Sequence, residues 1–125
     1  MAKRVRPNQR VAEKGKHPGM ERAIAVSSAT VGSTGIYSSV VTTPPGGGTL
    51  VHHHGACETS VFVLSGRARF TFGPTGVERE LFADEGDFVY IPAGEIHTES
   101  NVSLTGPLVV IVTRNCPDPV TEIVE

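Results

Sequence analysis

The stretch GDFVYIPAGEIHTESN, residues 86–101, decides how the rest of the chain is read. Asp87–Ile91 is a short, nearly all-apolar run with β-branched and aromatic members. It predicts a strand covered on both faces. Pro92 has no N–H for a ladder and ends that strand. Pro92-Ala93-Gly94 is a turn, and Glu95–Ser100 predicts the next strand. His97, near the start of that strand, is placed at the mouth or lining of whatever the strands enclose.

Upstream, TLVHHHGACETSVFVLSG, residues 49–66, sets three histidines inside a strand pattern. Side chains alternate along a strand, so His52 and His54 share a face and His53 points opposite. Two rings on one face are able to lean toward a common ion at roughly 2.0–2.2 Å. Glu58 follows beyond Gly55, where a bend would return a carboxylate toward the rings. The triplet lies mid-chain between strand signals, so it is no purification tag. His97, from a distant segment, would close a metal site. His53 is a reserve ligand, a supporting group or an exposed ring. Tyr90 and Glu99 lie near these residues in sequence, but the pattern does not fix their facing.

The surroundings are all β in character. Further strands are predicted at Arg22–Ser28, Ile36–Thr43, Thr49–His54, Thr59–Ser65, Arg67–Phe72, Val77–Phe82 and Leu108–Arg114. Gly and Pro, 14 and 9 in number, cluster between them. Short strands at this spacing predict a sandwich or barrel of antiparallel sheets. No segment carries a helical period over eleven residues. Ser65-Gly66 and FGPTG (residues 72–76) predict hairpin turns. In RARFTF, Ala68, Phe70 and Phe72 share one face and Arg67, Arg69 and Thr71 the other.

With 125 residues the chain suits one domain: a basic arm over 1–20, then a single β domain over 21–125. Residues 1–22 hold seven Lys/Arg against Glu13 and Glu21, and the remainder holds four against eleven acids. The net charge of −2 gives no reason to expect a nucleic-acid partner. No apolar run reaches membrane-spanning length, about 18 residues. The N-terminus lacks the apolar core of a signal peptide, so a cytoplasmic protein is expected. Cys57 and Cys116 then read as free thiols. There is no G-x-S-x-G nucleophile turn and no phosphate loop, since PPGGGTL lacks its Lys.

The two histidine segments resemble the two motifs of the cupin superfamily. The second has the form G-x5-P-x-G-x2-H-x3-N, met here by Gly86, Pro92, Gly94, His97 and Asn101. The first has the form G-x5-H-x-H-x3/4-E-x6-G, met by Gly46, His52, His54 and Glu58, with one surplus residue before Gly66. Counting back from Gly66 would instead put Gly55, His53 and Thr59 in the ligand places, and Gly55 has no donor. The forward count needs a bulge near Glu58–Ser60 to absorb the surplus. The resemblance implies a double-stranded β-helix, or jelly roll, and often a homodimer. It also implies a divalent metal (Mn, Fe, Zn, Ni or Cu) on His52, His54, Glu58 and His97. A small-molecule substrate follows, with dioxygenase-type oxidoreductase chemistry favoured. Non-redox isomerase, cyclase or lyase chemistry and non-catalytic binding of a small molecule or sugar are the alternatives. No separate catalytic residue is identified.

Overall fold

The structure is a computed structural model that describes residues 1–14 and 17–125; Lys16 of the basic run lies outside them. Among the described residues, eleven strands form two antiparallel sheets. The first holds β1 (Val11–Lys14), β2 (Glu21–Val26), β3 (Tyr37–Thr43), β10 (Leu108–Arg114), β5 (Thr59–Ser65) and β8 (Phe88–Ile91), in that order. The second holds β11 (Glu122–Ile123), β4 (His52–His53), β9 (His97–Asn101), β6 (Ala68–Phe72) and β7 (Arg79–Ala83). This is the expected all-β jelly-roll barrel. Among the described residues no helix is long and apolar enough to cross a membrane.

Period-two alternation builds the core. β5 turns Thr59, Val61 and Val63 inward, β10 turns Leu108, Val110, Val112 and Arg114 inward, and β9 turns His97, Glu99 and Asn101 inward. Aliphatic residues from both sheets meet as one cluster with Ala68, Phe70, Val89 and Ile91. Burial of such side chains, worth roughly 1.5–3 kcal/mol each, holds the sheets face to face. On the outside, Arg67 and Arg69 pair with Asp84 and Glu80.

Three local readings are corrected, and one short helix is added. Ser65-Gly66 is no hairpin, because β5 and β6 lie in different sheets. Gly66 carries the chain across at φ +97°, and a Cβ there would sit 2.9 Å from the Pro107 carbonyl oxygen. The strand at 87–91 is covered on one face only: β8 is a sheet edge, leaving Phe88 71% and Tyr90 63% exposed. A one-turn helix, α1 (Ser28–Val31), was too short to give a period; Ser27 caps it and Gly32 ends it in the left-handed region. Finally, Cys57 and Cys116 are joined in a disulfide across 59 residues, with no free thiol remaining. The free-thiol reading rested on an assumed reducing compartment, whereas the fold sets the two Cα atoms 5.8 Å apart, a distance a bridge spans.

Candidate metal centre

His52 on β4 lies directly opposite His97 on β9 in the ladder, so both rings enter the barrel from neighbouring strands. His54, two residues along, enters on the same side. All three are at most 5% exposed. Their ring centroids lie 4.2–5.1 Å apart. One ring nitrogen of each lies within 4.8 Å of the other two.

The nitrogens facing the centre are identified by what the others do. Nδ1 of His52 donates to the Leu50 carbonyl at 2.7 Å, that of His54 to the Val120 carbonyl at 2.7 Å, and that of His97 to the Glu95 carbonyl at 2.8 Å. A carbonyl only accepts, so each Nδ1 carries the proton and each Nε2 presents a lone pair. Backbone anchors of this kind fix tautomer and ring orientation in metal sites. Burial, then the adjacent His97 and His54 rings, hold His52 down at about 2. Burial and the Arg114 guanidinium hold His54 at about 3. Burial lowers His97 as well. The three imidazoles are therefore neutral across the physiological range, the form a metal requires. Three borderline nitrogen donors fit a first-row divalent ion and no all-oxygen Ca or Mg cage.

The rings sit in a cavity of about 60 Å³ between the sheets. Its far wall is aliphatic, made by Val41, Val61, Ile91 and Val112. Glu99, Arg114 and Arg22 also line the cavity. Glu99 lies two residues beyond His97 on the same face and is 7% exposed; burial pushes its carboxyl up to about 7, against a smaller opposite pull from Arg114. Arg114 is 7% exposed, and burial brings it down to about 10, so it remains a cation at neutral pH. At the rim, the His17 ring stands 4.4 Å from that of His52 and its Nδ1 accepts from the Leu50 N–H at 3.1 Å.

The structure brings together three of the four expected ligands. Glu58 is not among them: it is exposed, with its carboxylate accepting from the Tyr90 hydroxyl at 2.6 Å and from the Asn115 side-chain amide at 2.9 Å. Thr59, 2% exposed, takes the inward place. The surplus residue is not absorbed near Glu58–Ser60. β5 pairs regularly with β10 from Thr59 to Val63, and the register shifts beyond it, between Val109 and Val110. A bulge at that end leaves the first half of β5 in a frame where Glu58 must point out. His53 is half-buried and its Nδ1 accepts from the Gly55 N–H at 3.0 Å, away from the three rings. Period two from His97 carried the signal for Glu99, and the same rule from Val110 and Val112 carried it for Arg114. His17 had no periodic context to reveal it.

The geometry defines a class: a two-sheet β barrel with histidines from two noncontiguous strands converging inside. The cupin domain profile matches residues 39–114, and the chain belongs to the cupin domain family. Similar solved structures include an oxalate decarboxylase of Lactobacillus farciminis in complex with formate. It superposes with a TM-score of 0.79 at 19% identity, covering 94% of this chain and 34% of that one. A tryptophan-to-tyrosine variant of Bacillus subtilis oxalate decarboxylase gives a TM-score of 0.77 at 26% identity over 90% and 30% of the two chains. The Bacillus subtilis enzyme characterised for its Mn(II) centers gives 0.79 at 24% identity over 94% and 30%. The chain thus spans about a third of the length of these proteins. No curated protein sequence matches it.

Proposed function

We propose that this chain is a metal-dependent cupin enzyme, in which Nε2 of His52, His54 and His97 holds one divalent ion and a small organic molecule is transformed beside it. The observation that carries the reading is the trio of neutral, carbonyl-anchored imidazoles converging in the cavity between the sheets. Bound there, a redox-active ion supplies dioxygen chemistry and a redox-inert one supplies Lewis-acid polarisation.

The chain's own contributions follow from placement. The Leu50, Val120 and Glu95 carbonyls orient the rings. Val41, Val61, Ile91 and Val112 keep bulk water from the reacting groups. Glu99 holds or releases a proton on its carboxyl near neutral pH, the range suited to an acid–base group. If three protein donors hold the ion, more of its coordination places would be left to outside ligands than with four donors. Those places would accommodate a chelating substrate and dioxygen together, which favours dioxygenase-type chemistry. The likeness to oxalate decarboxylases supports a second reading, a lyase that releases CO2.

The test begins with protein purified without immobilised-metal resin. Elemental mass spectrometry should find close to one divalent ion per chain, lost in His97→Ala. Stoichiometric metal in His97→Ala would remove His97 from the centre. Oxygen uptake with β-diketones, catechols and flavonols, set beside CO2 release from dicarboxylates, then separates the two chemistries.

A further inference from the structure

Arg114 forms no ion pair with any described residue, although Glu99 and the Tyr37 hydroxyl favour its charge from nearby. It sits on β10 between Tyr37 of β3 and Thr59 of β5 in the ladder, and its side chain enters the cavity. The guanidinium carbon lies 5.3 Å from the Tyr37 ring centroid, and Nη2 makes a long, weak 3.5 Å contact with Nε2 of His54. Nε and Nη1 are buried with no hydrogen-bond partner. The ion pairs among the described residues are Arg22–Glu13, Arg67–Asp84 and Arg69–Glu80, and none reaches Arg114. Glu99, the one acid lining the cavity, forms no ion pair with it. A carboxylate in Thr59's place would have faced Arg114 across the ladder; the outward turn of Glu58 removes that acid. A second guanidinium, Arg22, stands at the cavity and also leaves Nε unpartnered.

Buried guanidinium donors without acceptors are costly, and structures keep them where a ligand completes them. The ligand must bring negative charge and accept hydrogen bonds from a planar cation, as carboxylates and phosphates do. The aliphatic wall opposite and the small volume suit a compact organic monoanion better than a multiply charged, heavily hydrated one. We infer that the cavity is a site for a small carboxylate, whose oxygens take the unpaired N–H groups of Arg114 while its carbon skeleton lies between the aliphatic wall and the three histidines. The inference deepens the reading of this cavity as a substrate pocket, but the Arg114 contact does not require the metal.

The experiment uses chelator-stripped protein, with acetate as probe and acetamide as its neutral isostere, followed by saturation-transfer NMR titration. Acetate should bind at least about tenfold more tightly than acetamide, the scale expected of a charge-assisted hydrogen-bonded pair. Arg114→Gln should abolish the difference, and Arg114→Lys should retain part of it. Equal affinities for the two probes would overturn the inference, as would unchanged acetate binding in an Arg114→Gln protein with wild-type circular dichroism. Should Arg114→Gln fail to fold, the wild-type ratio of the two probes decides alone. Inorganic phosphate displacing acetate at lower concentration would overturn the carboxylate assignment. Acetate preference in a protein that takes up no metal would support this inference and refute the metal centre. Stoichiometric metal without acetate preference would do the reverse.

Discussion

Glu58 and Thr59 are adjacent in the chain and go to opposite sides of the barrel wall, and that single step sets the character of the pocket. The first motif tolerates three or four residues between His54 and the acid. A spacing of three lands on Glu58 and a spacing of four on Thr59. Sequence shows both options, but only strand pairing chooses, because the choice depends on where a bulge far along β5 falls. Glu58→Gln is therefore expected to leave metal stoichiometry unchanged by elemental analysis; loss of the ion would return the carboxylate to the centre. Asn101 was legible as a motif position, and its physical role is now plain. Its buried side-chain amide donates to the Thr43 carbonyl at 3.2 Å and the Gly106 carbonyl at 2.8 Å, while its oxygen accepts from the Ser103 N–H at 3.0 Å. Asn101→Ala strands those carbonyls, and urea unfolding should show a loss of about 2–3 kcal/mol.

β9 is where local grammar and tertiary position agreed best. Pro92 ended one strand and His97 began the next, as the turn and the period implied, and the ladder placed it across from His52. Terminal strands were less legible. β4 is two residues long rather than six, because the chain enters it from a loop held by Thr49 and leaves it at a turn after His54. Two-residue strands carry no period, so their extent is fixed by neighbours alone. The loop between β6 and β7 supports β9 from below. Thr71 donates to the Gly76 carbonyl at 2.6 Å, and Gly76 lies at φ +92° with Ile96 and Val51 side chains 2.9 Å from where a Cβ would stand. Gly76→Ala combines backbone strain with overpacking beside the start of β9, for an expected cost of about 2–4 kcal/mol. Chemical denaturation should report it, with weakened metal uptake as the local consequence.

For the whole molecule, the fold class and the three histidines that converge were readable, and the charge balance of the interior was not. Burial depends on which strands become neighbours, and it is burial that neutralises the histidines. In the unfolded chain they would titrate near 6.5, whereas two of them are held at about 2 and about 3 when folded. Their contribution to stability is present above pH 6.5 and is lost as pH falls, because unfolding then takes up protons. Glu99 acts oppositely between its ordinary value and about 7, but as one group against three. The two histidines held at about 2 and about 3, set against Glu99, should cost the metal-free protein roughly 1 kcal/mol per pH unit on acidification from about 6 to 5, with His97 acting in the same direction, read from urea midpoints. Zinc titration at pH 6 in buffers of different ionisation enthalpy should release fewer protons than the about two expected of three ordinary imidazoles. The Cys57–Cys116 bridge closes a long loop, and Cys57→Ser with Cys116→Ser should cost about 2–4 kcal/mol in the same assay.

The segment after that bridge folds back on the histidine strand. Ile123 pairs with His52, Glu122 with His53, the Val124 amide donates to the Val51 carbonyl, and the Val120 carbonyl accepts from the His54 ring. Two of the three rings are thus latched by a stretch of chain that could peel away without disturbing the sheets behind it. On the proposed metal-binding reading, release of an ion would proceed by unzipping from that side, so that chelator-driven demetallation and amide exchange at residues 120–124 share one rate.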